Sequence, residues 1–484
     1  MTLTRLVLVV CCLAIAACDR AAKDTIGFGD DNPAVDELFA RWDQPGSPGC
    51  AVAVSQDGEL IYSRGYGYAN LDYDVPITPS TTFDVASVTK QFVAASISML
   101  ELEGKLSFDD DIRKWLPEMP EYDSPVTLSH MLYHISGLRD YLTLFPLAGR
   151  DDYFPISHPQ ILTMMSRQRA LEFPPGEDYE YSNTAYMLLA QVVERASGQS
   201  ISEFIQERIF DPLQMHDSLM YDDRQRIIPQ RAIGYERDDN DNVRLTHNFN
   251  FDVVGDGQIY ASVEDLIRWD NFLHESRPPY YDSLMIEGTL NNKEPLERAK
   301  GLYLEEYRGL RTVHHTGSSW GFNSVIKRFR DAGLTIVVAC NDDNSWPRRI
   351  AFRIADHYLA AQLEPVTATE DQPNESDEQA ASEEPYVLSP TELVRFLGSY
   401  YSYELDATYQ IRRGSGGLLV QIEQEQPIPL VATAADRLEF KFKPQGWSGN
   451  STVQLDVRRN DIRNVTGFDL SVATTRGIIF ERRQ

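Results

Sequence analysis

The feature that most constrains this fold is a helical pattern at residues 88–102 whose apolar side chains cover nearly the whole circumference. A helix that is apolar on nearly every side is buried in the middle of a domain. Strand patterns occur before and after this segment, at 50–54, 60–62, 311–316, 324–329 and 334–340. Strands at both ends with helices between them predict an α+β domain with one antiparallel sheet.

A change of composition near the C-terminus predicts a second domain. The chain has 484 residues, a length that suggests two or three domains. Residues 370–384 are rich in Asp and Glu and contain no Lys or Arg, a composition typical of a solvated linker. Residues 391–484 alternate between apolar and polar positions with glycine-rich turns, and this pattern predicts a small all-β domain.

The net charge limits the range of partners. Asp and Glu number 73 and Lys and Arg number 45, which gives a formal net charge of −28. A chain this acidic repels phosphate backbones and anionic membrane surfaces, so we expect no nucleic-acid partner. The sequence contains no run of about 18 apolar residues, so we do not expect a membrane-spanning helix.

The N-terminus resembles an export signal. Residues 6–17 form an apolar run that is too short to span a bilayer and has the length of a signal-peptide core. The run ends in Ile15-Ala16-Ala17-Cys18, which resembles a bacterial lipobox, where the cysteine is lipidated and becomes the new N-terminus. We therefore predict a lipoprotein signal peptide at 1–17, lipidation of Cys18 and a polar tether at 18–33.

An ordinary signal peptide with an unmodified Cys18 is the alternative. Asp19 resembles the inner-membrane retention signal of some bacterial lipoproteins. The predicted location is the periplasmic face of a bacterial membrane, with the inner membrane favoured, and otherwise the periplasm. The lipid anchor would be the only contact with the membrane.

Ser87-Val88-Thr89-Lys90 is the first candidate for catalytic chemistry. On a helix, positions i and i+3 share a face, so Lys90 can reach the Ser87 hydroxyl. A desolvated lysine can lose its proton and act as the base that activates a serine. The same spacing recurs at Ser324 and Lys327, but there it lies in a strand pattern, where i and i+3 point to opposite faces. Only the first copy fits the chemistry.

Two further motifs can complete a site. Tyr181-Ser182-Asn183 lies in a loop just before a predicted helix, where a phenol can relay a proton and an amide can hold a substrate amide. His315-Thr316-Gly317 ends a predicted strand. Its glycine allows a close backbone approach, and the next N–H, that of Ser318, can serve an oxyanion hole.

Two other patterns are rejected. Residues 317–321 match the nucleophile-elbow pattern around Ser319, but that elbow needs a helix after it, and a strand pattern follows here. His130 and His134 share a helix face, but no third ligand is in pattern. We therefore expect no metal ion and no other cofactor.

Taken together and in this order, Ser87-x-x-Lys90, Tyr181-x-Asn183 and His315-Thr316-Gly317 resemble the serine β-lactamase and penicillin-recognising family. The likeness is to the branch with class C β-lactamases, D-Ala-D-Ala carboxypeptidases, D-aminopeptidases and related esterases. Flanking segments agree with it, at 83–86, 127–132, 136–138, 173–176, 212–215 and 320–322.

The resemblance also implies an architecture. It covers about 34–365, and it implies an α+β hydrolase domain with a five-stranded antiparallel sheet flanked by helices and an all-helical region. Residues 366–388 would be the acidic linker. Residues 389–484 resemble the lipocalin-like β domain that follows some of these hydrolases, which implies a small all-β barrel, on the motifs at 396–401, 417–419, 436–438 and 466–468.

The resemblance assigns roles to the site residues. Ser87 would attack a carbonyl with Lys90 and Tyr181 sharing the general-base work, and which of the two takes the proton stays open. The N–H groups of Ser87 and Ser318 would meet the oxyanion. The remaining predicted residues would bind the substrate: Asn183, His315, Thr316 and Gly317.

One departure from the family bears on the substrate. Many members carry lysine where His315 stands, and there the fixed cation helps to bind a substrate carboxylate. A dedicated β-lactamase is therefore disfavoured. His315 has two open roles: as an imidazolium it would bind a carboxylate and favour carboxylate-bearing peptides as the pH falls, or it makes a structural hydrogen bond only.

The predicted function is a serine hydrolase that forms an acyl-enzyme on Ser87 and acts on D-amino-acid-containing peptides, amides or esters in the cell envelope. A class C-like β-lactamase or an esterase is one alternative. A non-catalytic envelope lipoprotein that binds muropeptides or another protein is an alternative of a different class. Such descendants usually lose the nucleophile or its lysine, whereas this chain has both Ser87 and Lys90.

Cys50 and Cys340 are the remaining cysteines of the predicted mature chain. In the fold that the resemblance implies, the first and last strands of the sheet are antiparallel neighbours, which would place the two residues side by side. Two outcomes stay open: a disulfide, or two buried and unpaired cysteines, since free cysteine also packs well in cores.

Overall fold

The computed structural model describes residues 32–150, 155–238, 240–246, 251–365, 386–442 and 451–483. The predictions for the signal peptide at 1–17, for Cys18 and for most of the tether and the acidic linker lie outside the described residues and stay predictions. Among the helices that are described, none is both long enough and apolar enough to cross a membrane.

The helices of the described ranges are numbered here in chain order. They are α1 Pro33–Asp36, α2 Lys90–Leu102, α3 Leu128–Leu132, α4 Tyr141–Leu147, α5 His158–Met165, α6 Asn183–Ser197, α7 Ile201–Ile205, α8 Val263–Asn271, α9 Tyr281–Leu284, α10 Pro347–Tyr358 and α11 Pro390–Phe396. A 3-10 turn, Ala86–Thr89, leads directly into α2.

The strands of the hydrolase domain are numbered in the same way. They are β1 Cys50–Gln56, β2 Glu59–Tyr66, β3 Tyr68–Asn70, β4 Val75–Pro76, β5 Phe83–Asp84, β6 Ile156–Ser157, β7 Leu219–Met220, β8 Tyr235–Arg237, β9 Val243–Leu245, β10 Phe251–Asp252, β11 Ile259–Ala261, β12 Arg298–Ala299, β13 Leu302–Tyr307, β14 Leu310–Ser319, β15 Phe322–Phe329 and β16 Leu334–Cys340.

The main sheet has seven strands in the order β12-β13-β14-β15-β16-β1-β2, and all neighbours that it pairs are antiparallel. The predicted α+β class with one antiparallel sheet is confirmed, but the expected number of five strands is too small. The two strands that the sequence did not reveal, β12 and β13, extend the edge next to β14. Along β13, which lies between β12 and β14, only Leu302 is buried, so this strand carries little apolar signal.

Helices cover both faces of the sheet, as predicted. Alternate residues of β1 and β16 point to opposite faces, because side chains in a strand alternate. On one face these residues pack against α10, and on the other they pack against α8, with α2 and α6 beyond it in the same core. Nearly every residue of α2 is buried, which confirms it as the central helix.

The first and last strands bring the two cysteines together. Cys50 lies opposite Cys340 in the β1–β16 ladder, and the two Cα atoms are 4.0 Å apart. The structure joins them in a disulfide, which connects residues that are 290 positions apart in the sequence. Of the two open outcomes, this geometry favours the bridge.

We therefore expect that alkylation of the denatured, unreduced protein leaves Cys50 and Cys340 unlabelled. Peptide mass spectrometry checks this, and two alkylated cysteines would exclude the bridge. Replacing both residues by alanine is expected to lower the free energy of unfolding by about 2–4 kcal/mol, because the cross-link constrains the unfolded chain. A reductant should destabilise the wild-type protein and leave the double variant unaffected.

The C-terminal residues form a closed antiparallel barrel, which confirms the predicted all-β barrel. Its strands are β17 Gly398–Ser402, β18 Ala407–Gly414, β19 Gly417–Ile422, β20 Ile428–Ala434, β21 Arg437–Phe442, β22 Ser451–Arg459, β23 Val465–Val472 and β24 Thr475–Arg482. The barrel closes where β24 pairs with β17. Aromatic rings fill part of its interior, with Phe480 between Tyr409 and Phe468 at centroid distances of 4.3 and 4.7 Å.

Candidate active site

Ser87 and Lys90 meet at the start of the central helix. Ser87 lies in the 3-10 turn Ala86–Thr89, and Lys90 is the first residue of α2. The Lys90 Nζ atom donates to Ser87 Oγ at 3.1 Å. Lys90 is fully buried, whereas Ser87 is only half-buried. A substrate can therefore reach the hydroxyl while the lysine stays shielded from water.

A strained residue precedes the serine. Ala86 has a φ of 48°, in the left-handed region, which costs a residue with a side chain about 1–3 kcal/mol. Its N–H donates to Asp84 Oδ1 at 2.8 Å, and Ser319 Oγ donates to Asp84 Oδ2 at 2.9 Å. Asp84 thus holds the turn that presents Ser87. Ser319 supports that carboxylate from the end of β14, and a strand follows it, so the nucleophile-elbow reading has no structural basis here.

Strand β14 runs directly beside the serine turn. A Cβ atom at Gly317 would lie 2.1 Å from the carbonyl oxygen of Val85, so only glycine allows this approach. Ser324 on β15 donates to the same oxygen at 2.8 Å. The His-Thr-Gly motif therefore belongs to the strand edge next to Ser87, with Thr316 half-buried and Ser318 exposed.

Lys90 has three hydrogen-bond acceptors. Besides Ser87 Oγ, its Nζ atom donates to Asn183 Oδ1 at 2.9 Å and to the backbone oxygen of Asp256 at 2.6 Å. Burial lowers the pKa of Lys90 from 10.5 to about 8, although the carboxyl groups of Asp256 and Asp140 act in the opposite direction. Lys90 can therefore lose its proton near neutral pH. As a neutral amine it keeps two N–H donors for Asn183 and Asp256, which leaves its lone pair for Ser87.

Tyr181 completes the group around the serine. Its hydroxyl is hydrogen-bonded to the Ser87 side chain, and its ring centroid lies 4.8 Å from Lys90 Nζ. The Tyr181 ring also stacks on the His134 ring, with centroids 4.5 Å apart. Desolvation raises the pKa of Tyr181 well above its usual value of 10, so the phenol is neutral near pH 7.

Asn183 is the first residue of α6 and is held from its backbone. Its N–H donates to Asp140 Oδ2 at 2.6 Å. Because Asn183 Oδ1 already accepts from Lys90, the side-chain NH₂ group is the part that can donate to a substrate.

His315 is buried beside this group and is uncharged. Its Nδ1 atom donates to the Thr316 carbonyl at 2.6 Å, which defines the tautomer of the neutral ring. Burial, reinforced by the charge of Lys90, lowers the pKa of His315 from 6.5 to about 3. An imidazolium that binds a carboxylate near neutral pH is therefore not supported, and the hydrogen-bonding role is the one that fits.

A fixed cation at this end of the site comes from β12, a strand that the sequence did not reveal. Arg298, on β12, places its guanidinium carbon 4.1 Å from the centroid of the Tyr303 ring, and that ring lies 5.0 Å from the His315 ring. Arg298 is half-exposed, and its Nε atom is buried without a hydrogen-bond partner. Its charge contributes to lowering the pKa of His315.

The rejected histidine pair makes local hydrogen bonds. His130 Nδ1 accepts from the N–H of Thr127 at 3.2 Å as part of the cap of α3, and His134 Nδ1 accepts from the N–H of Ser182 at 3.0 Å. His134 thus holds the loop between Tyr181 and Asn183. Within the described part of the chain, no group of three or more His, Cys, Asp or Glu side chains could hold a metal ion.

Sequence reasoning missed the buried carboxyl groups around the site, Asp84, Asp140 and Asp256. Burial raises the pKa of Asp84 and that of Asp140 to about 6 and also raises that of Asp256. Two of them lie in or close to segments that carry the family resemblance: Asp84 lies inside 83–86, and Asp140 follows 136–138. Asp256 lies in a loop that has no periodic pattern, so the sequence offers no signal for it.

Comparison with known proteins identifies the family to which this chain belongs. The Beta-lactamase family model matches residues 35–360. Penicillin-binding protein 4* of Bacillus subtilis is 30% identical over 370 residues, which cover 72% of this chain and 78% of that protein. A D-aminopeptidase of Gluconobacter oxydans is 33% identical over 313 residues, which cover 64% of this chain but only 58% of the D-aminopeptidase.

Solved structures show the same fold. The octameric penicillin-binding protein homologue from Pyrococcus abyssi superposes with a TM-score of 0.59 at 22% identity and covers 92% of this chain and 98% of its own. The D-amino acid amidase from Ochrobactrum anthropi gives a TM-score of 0.56 at 22% identity, with 68% and 99% covered. At these identities the likeness concerns the fold alone.

Proposed function

Because this chain is a serine hydrolase of the β-lactamase family, we propose that Ser87 forms an acyl-enzyme with amides, peptides or esters of D-amino acids. The observation that carries the proposal is the buried Lys90 amine, 3.1 Å from a half-exposed Ser87 hydroxyl that also contacts Tyr181. The names of the relatives, a penicillin-binding protein and D-aminopeptidases, support the substrate class. The membership of the family that the motifs predicted is confirmed by the family model over residues 35–360.

The reaction begins with the neutral Lys90 amine. Ser87 Oγ bonds to the substrate carbonyl carbon, and its proton passes to Lys90 Nζ. Lys90 is the acceptor because its pKa is about 8, whereas the pKa of Tyr181 is well above 10. The carbonyl oxygen becomes an oxyanion, which the N–H groups of Ser87 and Ser318 would stabilise.

The same groups then release the products. The bond to the leaving amine or alkoxide breaks as Tyr181 gives it a proton and takes one from the Lys90 ammonium. Water attacks the acyl-enzyme, its proton passes to Lys90, and Ser87 leaves as the hydroxyl with that proton returned. The side-chain NH₂ of Asn183 and the edge of β14 at Thr316 and Gly317 would hold the substrate backbone throughout.

The neutral state of His315 narrows the substrate class. In family members with lysine at this position, a fixed cation supports a substrate carboxylate, and the uncharged His315 does not supply one. This supports D-amino-acid amides, esters and N-terminal cleavage, which need no carboxylate next to the scissile bond. Arg298 favours one second candidate, a D-Ala-D-Ala carboxypeptidase, because its guanidinium could take over the carboxylate.

A substrate panel tests the proposal. The purified protein is assayed with a D-amino-acid p-nitroanilide, its L-enantiomer, a D-Ala-D-Ala peptide, a p-nitrophenyl ester and nitrocefin. We expect turnover of the D-anilide and the ester and preference for the D-enantiomer. Exclusive turnover of the D-Ala-D-Ala peptide would select the carboxypeptidase, and exclusive turnover of nitrocefin the β-lactamase. Binding of muropeptides without any turnover would leave the non-catalytic alternative.

The pH dependence follows from Lys90. We expect kcat/KM for a p-nitrophenyl ester without an ionisable acyl group to fall about tenfold per pH unit below the pKa of about 8, because only the neutral Lys90 amine accepts the Ser87 proton. Above that pH the rate should level off, since Tyr181 does not yet ionise. No further limb should arise from His315, whose pKa is about 3.

A pH–rate profile over the neutral and mildly alkaline range checks this expectation. The matched control is His315→Asn, which keeps a donor for the Thr316 carbonyl. Its profile should show the same apparent pKa as that of the wild type. A limb near the ordinary pKa of histidine, about 6.5, that disappears in this variant would contradict the neutral state of His315.

A further inference from the structure

We propose that the C-terminal barrel positions the catalytic residues, because Glu404 of the barrel binds Arg139 and thereby fixes the Arg139–Tyr141 segment that orients Asn183 and the Lys90 amine. The inference rests on the proposed function and adds a positioning residue from a second domain to it. The barrel would accordingly be a part of the active-site framework rather than a separate binding module.

The contact between Glu404 and Arg139 is buried, and both side chains make further hydrogen bonds. The two side chains are 3% and 1% exposed, and Arg139 Nη1 donates to Glu404 Oε1 at 2.8 Å. The other carboxyl oxygen of Glu404 accepts from the N–H of Ile479 at 3.2 Å. Arg139 Nη2 donates to the backbone oxygen of Arg476 at 2.7 Å, so the arginine is held by two separate parts of the barrel. Within the hydrolase domain, Arg139 Nη1 also donates to Gln168 Oε1 at 3.0 Å, and its Nε atom lies 3.6 Å from Glu172. Glu404 makes the shorter of the two ion pairs, so its displacement weakens the neutralisation of a buried arginine in a dry interior.

The residue after Arg139 leads to Asn183. The carboxylate of Asp140 accepts from the N–H of Asn183 at 2.6 Å. Thr184 ties the same segment to α6, because its Oγ1 donates to the Arg139 carbonyl at 2.8 Å and accepts from the N–H of Tyr141 at 2.8 Å. The first turn of α6 is therefore fastened to the segment that the barrel holds.

Tyr141 leads to the other partner of Lys90. Its hydroxyl donates to Asp256 Oδ2 at 2.7 Å, and the backbone oxygen of Asp256 accepts from Lys90 Nζ at 2.6 Å. Asp140 thus connects the segment to Asn183, and Tyr141 connects it to Asp256. Both acceptors that direct its lone pair toward Ser87 are thus linked to the Arg139–Tyr141 segment.

A second contact of the barrel reaches the loop that carries Tyr181. The turn between β23 and β24 lies against this loop, and Thr474 Oγ1 donates to Glu180 Oε1 at 3.1 Å. Arg476, two residues later, donates its N–H to Glu172 Oε2 at 2.9 Å. The barrel therefore contacts the segment that precedes the Tyr-x-Asn motif at two points, which is more than a domain joined only by a linker requires.

The test compares two variants of the full-length protein, each of which replaces one carboxylate by a neutral amide. Glu404→Gln removes the charge that holds Arg139 and keeps the side-chain size. Asp406→Asn is the matched control, because Asp406 makes another ion pair between the domains, with Arg167 at 2.7 Å, whose side chains are 43% and 27% exposed. No contact described above connects that pair to Lys90 or Asn183.

The concentration of active sites is first measured by titration with a fluorophosphonate, and kcat is expressed per reactive Ser87. A loss of folded protein then does not lower the measured kcat. We expect Glu404→Gln to lower kcat about 10- to 100-fold, the size of effect that a displacement of catalytic groups produces. Its pH–rate limb near the Lys90 pKa should also move, which a purely stabilising contact would not cause. Asp406→Asn should keep kcat within about twofold of the wild type.

Wild-type kcat and pH profile in Glu404→Gln would overturn the proposal, and so would an equal loss in both variants. If Glu404→Gln does not fold, the triple variant Arg139→Gln/Glu172→Gln/Glu404→Gln decides, because it also neutralises Glu172, the second carboxyl group beside Arg139 at 3.6 Å. A low kcat in that variant supports positioning, and a wild-type kcat refutes it. A wild-type protein without any titratable serine would instead refute the proposed function, so the two failures are distinguishable.

Discussion

Ser87→Ala is expected to abolish covalent labelling by a fluorophosphonate and to lower kcat/KM by about 10⁴-fold or more, because it removes the hydroxyl that forms the acyl-enzyme. The variant should fold normally, since Ser87 is half-buried and alanine is compatible with the 3-10 turn that contains it. Intact-mass analysis after labelling and initial rates on a D-amino-acid anilide provide the two measurements. Equal hydrolysis by the wild type and Ser87→Ala would remove the whole mechanism.

Ser319→Ala is the control for this experiment. Ser319 is the serine of the rejected elbow pattern, and its hydroxyl donates to Asp84 instead of facing a base. The variant should still be labelled at Ser87, with a smaller loss of rate that reflects weaker support of the turn at Ala86. An adduct on Ser319 in the wild-type protein would reverse the assignment of the nucleophile.

Lys90→Met is expected to lower kcat/KM by about 10²–10⁴-fold, the range that a positioned general base contributes. Methionine keeps most of the volume and removes the amine that lies 3.1 Å from Ser87. The pH–rate limb near the Lys90 pKa should disappear together with the rate. A variant that keeps this limb would show that another group accepts the proton, and Tyr181 would then be the candidate.

Lys327→Met is the matched control, because it alters the second Ser-x-x-Lys pattern. Lys327 is also buried, but its Nζ atom donates to Glu305 at 2.6 Å and lies 4.2 Å from the ring centroid of Phe352. Ser324, three residues earlier, faces Val85 on the other side of the sheet. We expect a less stable protein with a wild-type kcat per titrated serine. A loss as large as that of Lys90→Met would contradict the assignment.

Much of the fold could be predicted because the signals are local. The all-round apolar pattern at 88–102 identifies α2 as the central helix. Asp57-Gly58 lies between two strand patterns, where an Asp-Gly pair is typical of a hairpin turn, and both residues have positive φ in the β1–β2 turn. Period-2 alternation identifies the barrel strands. Strands β12 and β13 escaped detection, because their half-exposed side chains carry little periodic signal.

The same distinction between local signals and contacts of distant residues applies to the active site. The sequence by itself determined that Lys90 reaches Ser87, because three residues of one helical turn set that distance. It also gave the order of the motifs and the need for glycine at position 317. What only the tertiary structure decided is the chemical state of these groups: the amine of Lys90 is buried by Asn183 and Asp256, which lie 93 and 166 positions further along the chain.

The same reason applies to His315 and to the barrel. The neutral state of His315 results from burial and from the charges of Lys90 and Arg298, neither of which is a sequence neighbour. The contact of Glu404 with Arg139 joins residues 265 positions apart. A hydrogen-bond spacing within one turn is encoded locally, whereas a pKa or a domain contact depends on which distant residues remove water from a group, and only the folded chain defines those residues.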